Sequence, residues 1–167
     1  MQILFTEAEI QNKLEDIASH INKNTNSTPP VLICVLNGAF MFFSDLVKKV
    51  YECEIDFIRV KSYTGITQGQ LTITKDIETV IADKDVYIID DIYDSGNTMN
   101  FIINRLKAFG PKSLTPITLF VKDNHPENLI YGFKLENETW IYGYGLDGDK
   151  GLWRNVPLVL GKYYEVE

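Results

Sequence analysis

VYIIDDIYDSGNTM, residues 86–99, is the stretch from which the fold is read. An aliphatic run ends in two adjacent carboxylates, Asp90 and Asp91, and Asp94 then opens a Ser95-Gly96-Asn97-Thr98 turn. The run has the composition of a buried parallel strand over residues 86–90. From residue 100 to 109 apolar residues recur at helical spacing, so the turn joins the C-terminal end of a strand to the N-terminus of a helix. Such a junction attracts anions: its backbone N–H groups and the helix dipole favour phosphate, Gly96 permits close approach, and Ser95 and Thr98 add hydroxyl donors. Asp90 and Asp91 would repel a phosphate, but they can accept hydrogen bonds from ribose hydroxyls and hold Mg²⁺ directly or through water. The stretch therefore has the layout of a sugar-phosphate site. A buried strand followed by an Asp or Ser helix cap is the plainer explanation, and three acids at this spacing argue against it. The pattern of residues 90–98 is neither GxGxxG nor a Walker A sequence, so the dinucleotide and P-loop readings lose their main support.

Outward from this motif, the chain alternates strand and helix. Thr6 and Glu9 have capping-box spacing, and Ile10, Leu14, Ile17 and Ile21 follow at helical intervals. The pattern then predicts a strand over 31–36, a helix over 39–50, strands over 54–60 and 86–90, a helix over 100–109 and a strand over 114–121 after the Gly110-Pro111 break. Residues 62–75, polar with glycines, are expected to form a hairpin extension, a mobile surface loop or a lid. A short strand over 139–144 and a loop over 145–155 complete the chain. This order implies an α/β fold with helices on both faces of a parallel sheet, and ligands at the strand C-termini, where Asn37, Asp90 and Lys122 fall.

The 167 residues suit one domain spanning 1–167, and the 45% apolar content suits a compact soluble fold. A net charge of −7 argues against a nucleic-acid binder, while local donors and Mg²⁺ still allow a small anion in one pocket. Cys34 and Cys53 have no metal-ligand spacing and no secretory leader precedes them, so two reduced thiols in a cytoplasmic protein are expected. No apolar run approaches the roughly 20 residues of a membrane span. His20 and His125 have no partner at catalytic spacing.

Residues 90–98 resemble the PRPP-binding signature of the type I phosphoribosyltransferases, carried here by Asp90, Asp91, Asp94, Ser95, Gly96 and Thr98. Further segments are similar to the 6-oxopurine (hypoxanthine-guanine) branch and cover nearly the whole chain. That resemblance implies an open, twisted, mainly parallel sheet flanked by helices, with a small hood and a flexible lid loop. It implies PRPP and a 6-oxopurine base as substrates, Mg²⁺ as cofactor, and a homodimer or homotetramer.

By the same resemblance, residues 90–98, including Asn97, hold the ribose phosphate, and Asp94 acts on the base nitrogen. VLNGAFMF at 35–42 is similar to a pyrophosphate-binding loop with a non-proline cis peptide, at Leu36-Asn37 or Asn37-Gly38. Ser62 and Tyr63 open the lid. Lys122 faces the purine 6-oxo oxygen, Trp140 stacks on the ring, Ile141 offers backbone groups to the base edge, and Asp147, counted with the base-binding residues, is a metal-binding carboxylate that approaches a second Mg²⁺ near pyrophosphate, Asp90 and Asp91 being the other metal-binding carboxylates. Arg154 stabilises the leaving pyrophosphate. The chain departs from the family pattern at Asn37, where Lys is common, and at Gly148, where an aromatic is common.

Two rival functions share some of these features. A phosphoacceptor receiver domain also gathers carboxylates and a Lys at strand ends, but its acid pair lies on the first strand. A regulatory protein of the same fold that binds RNA is disfavoured by the acidic composition.

Overall fold

Thr6 starts the first helix as its spacing predicts. Its Oγ1 accepts from the Glu9 N–H at 3.3 Å, and Glu9 Oε2 accepts from the Thr6 N–H at 2.8 Å, which satisfies two otherwise orphaned donors. The helix then buries Ile10, Leu14, Ile17, Ala18 and Ile21 along one stripe.

The computed structural model describes residues 2–62, 69–122, 124–136 and 139–163. Its elements run β1 (Gln2–Phe5), α1 (Glu7–Asn24), β2 (Val31–Leu36), α2 (Phe40–Val47), β3 (Glu54–Ser62), β4 (Leu71–Lys75) and β5 (Asp85–Tyr93). They continue with α3 (Asn97–Lys107), β6 (Ser113–Val121), β7 (Ile130–Lys134), β8 (Thr139–Tyr142), a short 3₁₀ turn (Asp149–Gly151) and β9 (Val159–Tyr163). A six-stranded sheet has the order β4-β3-β2-β5-β6-β7 and is parallel except for the β3–β4 pair. A smaller antiparallel sheet, β1-β9-β8, forms the expected hood from strands near both ends of the chain.

The main sheet is apolar on both faces because its strands alternate. Leu32, Cys34, Tyr87 and Ile89 pack in the cluster that includes α1 and α2, while Val31, Ile33, Val35, Val86 and Ile88 pack with Met99, Ile102 and Leu106 of α3. The first cluster also takes in Ile141, Tyr144, Leu146 and Val159, so the hood shares the main core. Among the described residues no helix is long and apolar enough to cross a membrane.

Several boundaries differ from those expected. β5 runs to Tyr93 rather than stopping at Asp90, because β6 continues to pair with it as far as Tyr93 and Val121. Asp90 and Asp91 therefore lie inside a strand. α3 begins at Asn97, not residue 100, since Gly96 at φ 78° caps it and accepts from the Asn100 N–H at 2.9 Å. Its end, like that of α2, tightens into i to i+3 hydrogen bonds, Phe109 N to Leu106 O at 3.0 Å and Lys49 N to Leu46 O at 3.0 Å, so both helices stop before residues 109 and 50. Strands β1, β7 and β9 were not expected; they are 4 or 5 residues long, and β7 and β9 each carry a glycine. β4 pairs antiparallel with β3, as a hairpin extension requires, while residues 63–68, with Tyr63 and the tip of the expected lid, lie outside the described residues.

Thr6→Ala should lower stability by about 1 kcal/mol, since it removes one side of the capping box. Urea unfolding measures it, and an unchanged midpoint would show that α1 does not depend on the box.

Candidate active site

β2 pairs with β5 from Val31 and Val86 up to Cys34 and Ile89, and no further. β2 leads through α2 to β3 on one side, whereas β5 leads through α3 to β6 on the other, so the gap between them is the sheet's topological switch point. A cleft of about 280 Å³ opens there, walled by Leu36, Gly38 and residues 90–99. Its floor is the turn 94–98: Ser95 Oγ accepts from the Asn97 N–H at 3.4 Å, and the first turn of α3 presents its N–H groups. Gly96 is obligatory here, because its φ is 78° and a β-carbon would overlap the Tyr93 hydroxyl. The Leu36-Asn37 peptide is cis, which decides between the two bonds expected. Asn37 lines neither this cleft nor the one beside it, so its neighbours Leu36 and Gly38 form that wall.

Asp90, 8% exposed, faces the first cleft; Asp91 faces both clefts. Asp90 Oδ1 accepts from the Asp91 N–H at 2.9 Å, and Asp91 Oδ1 from the Ile92 N–H at 2.8 Å. Burial, and then the charge of Asp91, push the Asp90 carboxyl well above the usual range. Burial also raises Asp91, against hydrogen bonds from Asp90 and Ile92 and the charge of Arg154. Beside them the Cys34 thiol is pushed up to about 12, by burial first and then by both acids, which makes it an inert core thiol. Hard carboxylate oxygens paired at close quarters suit Mg²⁺. Among the described residues no three of His, Cys, Asp and Glu form a metal cage, and Asp147 sits apart from the pair.

A second cleft, of about 330 Å³, shares Gly38, Asp91, Ile92 and Asp94 with the first. Asp94 thus stands between the two. Across from it Lys122, just past the end of β6, places Nζ 3.4 Å from Asp94 Oδ1 and donates its backbone N–H to Tyr93 O at 3.1 Å. Trp140 on β8 is 48% exposed and lines this cleft, so it is not a core residue; Ile141 beside it is buried but for its edge on the cleft. Arg154 closes the far end with Nη2 2.9 Å from Asp147 Oδ2 and Nη1 donating to Gly145 O at 2.6 Å.

The structure therefore brings together Leu36, Gly38, Asp90, Asp91, residues 94–98, Lys122, Trp140, Ile141, Asp147 and Arg154 around two contiguous clefts. Ser62 ends β3 opposite Leu71 and lines neither. Sequence reasoning missed the turn 143–145, whose Gly145 lies so close to the Gly38 carbonyl that no β-carbon fits between them. Its signal was the pair of glycines, Gly143 and Gly145, whose φ values of 93° and 96° flank Tyr144 at 50°.

Residues 4–148 match the family described as the phosphoribosyl transferase domain. The chain is 36% identical, over 95% of its length, to a hypoxanthine-guanine-xanthine phosphoribosyltransferase of Tritrichomonas foetus, covering 89% of that protein. It is also 36% identical, over 95% of its length, to a hypoxanthine-guanine phosphoribosyltransferase of Staphylococcus aureus, of which 91% is covered. A crystal structure of a hypoxanthine-guanine phosphoribosyltransferase from Bacillus anthracis superposes with a TM-score of 0.85 at 33% identity, over 95% of this chain and 96% of that one. The hypoxanthine phosphoribosyltransferase of Trypanosoma cruzi in complex with its product IMP gives 0.83 at 29% identity, over 95% and 91%. The chain belongs to the phosphoribosyltransferase family, in its hypoxanthine-guanine branch. The receiver alternative falls with that assignment.

Because burial and Asp91 raise the Asp90 pKa, the native state holds more protons than the unfolded chain from about pH 4 through the pair's raised range, and stability falls as pH rises there. Asp90→Asn keeps an acceptor for the Asp91 N–H and removes the buried charge. Without ligand or divalent cations it should raise the melting temperature at pH 7.5 by about 2 to 4 °C, the effect of about 1 kcal/mol in a chain this long, and flatten the pH dependence. A lower melting temperature would show that ionised Asp90 is compensated.

Proposed function

We propose that this protein transfers the 5-phosphoribosyl group from PRPP to hypoxanthine or guanine, giving IMP or GMP and pyrophosphate in purine salvage. One observation carries the reading: an anion-binding turn and a base-sized slot are contiguous and meet at Asp94. On this reading residues 1–167 are one phosphoribosyltransferase domain, a homodimer or homotetramer in the cytoplasm, where its two free thiols stay reduced.

The turn 94–98 holds the 5-phosphate through backbone N–H groups and the Ser95 and Thr98 hydroxyls. Asp90 and Asp91 accept from the ribose hydroxyls, which orients C1 toward the second cleft. The Leu36–Gly38 backbone and the planar fork of Arg154 receive pyrophosphate. Asp90 and Asp91 would hold Mg²⁺ directly or through water when it is bound with PRPP, Asp147 would approach a second ion, and the metal would supply charge neutralisation on the leaving pyrophosphate. The base lies against Trp140 as an offset stack. Lys122 donates to its 6-oxo oxygen, and Asp94 takes or shares the proton of the attacking nitrogen. In the free protein these two side chains hold each other at 3.4 Å, and a base entering the slot replaces that ion pair with its own contacts. Ser62 and Tyr63 begin the segment that excludes water from the activated C1.

Asp94→Asn should reduce turnover by roughly 10²-fold to 10⁴-fold with PRPP affinity little changed, as for a lost general acid or base; unaltered turnover would remove Asp94 from the chemistry. Lys122→Ala should weaken use of hypoxanthine by about 1.5 to 3 kcal/mol and leave PRPP binding nearly intact, because only a charge-assisted bond to the oxo group is lost. Should the variant discriminate hypoxanthine from adenine as well as the parent does, Lys122 does not read the base.

A further inference from the structure

A part-buried polar link joins the hood to the helices beneath it. Tyr144, 2% exposed, donates its hydroxyl to Asp45 Oδ2 at 2.7 Å. The same oxygen accepts from Gln11 Nε2 of α1 at 2.9 Å, and Asp45 Oδ1 accepts from Lys48 Nζ at 2.7 Å. One carboxylate on α2 thus gathers a hood residue and both helices of that face. Burial works against its charge, but hydrogen bonds from Lys48, Tyr144 and Gln11 outweigh burial and hold Asp45 below the usual carboxylate range. Burial and Asp45 push the Tyr144 phenol far upward, so the donor keeps its proton and the acceptor its charge.

Tyr144 sits at φ 50° between Gly143 at 93° and Gly145 at 96°. A non-glycine residue is disfavoured there, and its side-chain anchor explains how the turn keeps it. The other side of the turn is tied to the loop that carries Arg154: Tyr144 N–H donates to Val156 O at 3.0 Å, and Gly145 N–H to Arg154 O at 2.8 Å. Gly145 in turn abuts the Gly38 carbonyl, and Gly38 abuts the Asp91 carboxylate, each too closely for a β-carbon. Contacts at that range transmit displacement instead of absorbing it.

We infer that the Tyr144–Asp45 hydrogen bond is a positioning element for the PRPP side of the site: it fixes the 143–145 turn, and through Gly145 it sets the Gly38 backbone and the Arg154 guanidinium. The assignment of that side to PRPP rests on the proposed function. Tyr144→Phe removes the hydroxyl alone. KM for PRPP should rise about 3-fold to 10-fold, the size of one hydrogen bond, while KM for hypoxanthine changes by less than about 2-fold. Asp45→Asn, which keeps an acceptor for Tyr144, should do less, and Tyr144→Phe in an Asp45→Ala background should add little to Asp45→Ala alone. An unchanged PRPP KM in Tyr144→Phe, or equal rises for both substrates, would overturn the inference. Hydrogen exchange of the peptides covering residues 145–156 reads the brace without substrates: faster exchange in Tyr144→Phe supports it and unchanged exchange overturns it. If the parent protein shows no transfer from PRPP, the proposed function fails, and the exchange result still decides the brace.

Discussion

Strands β2 and β5 hydrogen-bond as far as Cys34 and Ile89 and then separate, and the next residues of β5 are two carboxylates. Had the strands stayed paired, Asp90 and Asp91 would be enclosed between the sheet's two apolar layers with nothing to compensate their charge. Separation at the switch point gives them a cleft, but the free protein still keeps them partly desolvated, and that is why both carboxyls are raised. The fold supports this unfavourable pair with apolar packing on both faces of the same strand, Ile88 on one side and Ile89 on the other. A ligand that brings a cation relieves the repulsion, so binding energy is gained where the empty fold is least stable.

The second constraint is the distance over which the site must be assembled. Its phosphate turn follows β5, its cis-peptide wall follows β2, its lysine follows β6, and its Trp140 and Arg154 belong to the hood region. The hood meets the main sheet through Phe5 of β1, whose ring centroid lies 5.3 Å from that of Phe120 on β6 and 4.4 Å from that of Phe133 on β7. The hood shares the α1 and α2 side of the core, and the tight glycine contacts from Gly145 to Gly38 to Asp91 set the spacing between its turn and β5.

Much of this was legible in the residues because it rests on local chemistry. The capping box at Thr6, the aliphatic run of β2, the Ser-Gly-Asn-Thr turn and the order of strands and helices all follow from periodicity or from a backbone demand that few residues satisfy. The length of β5 was not legible, because two adjacent acids read as the end of a strand, whereas pairing with β6 carries the strand to Tyr93. β1, β7 and β9 are too short to show a period, and β1 and β9 meet each other from opposite ends of the chain. The Tyr144–Asp45 bond spans 99 residues and joins two side chains that look ordinary in isolation. The separate lodging of Asp147 with Arg154 is likewise a matter of tertiary placement. The lid residue Tyr63 lies outside the described residues.

The central claim is that the crevice beyond Ile89 activates PRPP for attack by a 6-oxopurine lodged against Lys122. Its most direct test is pyrophosphate release from PRPP and Mg²⁺ in the presence, one at a time, of hypoxanthine, guanine, adenine and uracil. The account predicts rapid release with hypoxanthine or guanine, little with adenine or uracil, and formation of the corresponding 6-oxopurine nucleotide. Release with none of the bases, or release with adenine as fast as with hypoxanthine, would contradict it.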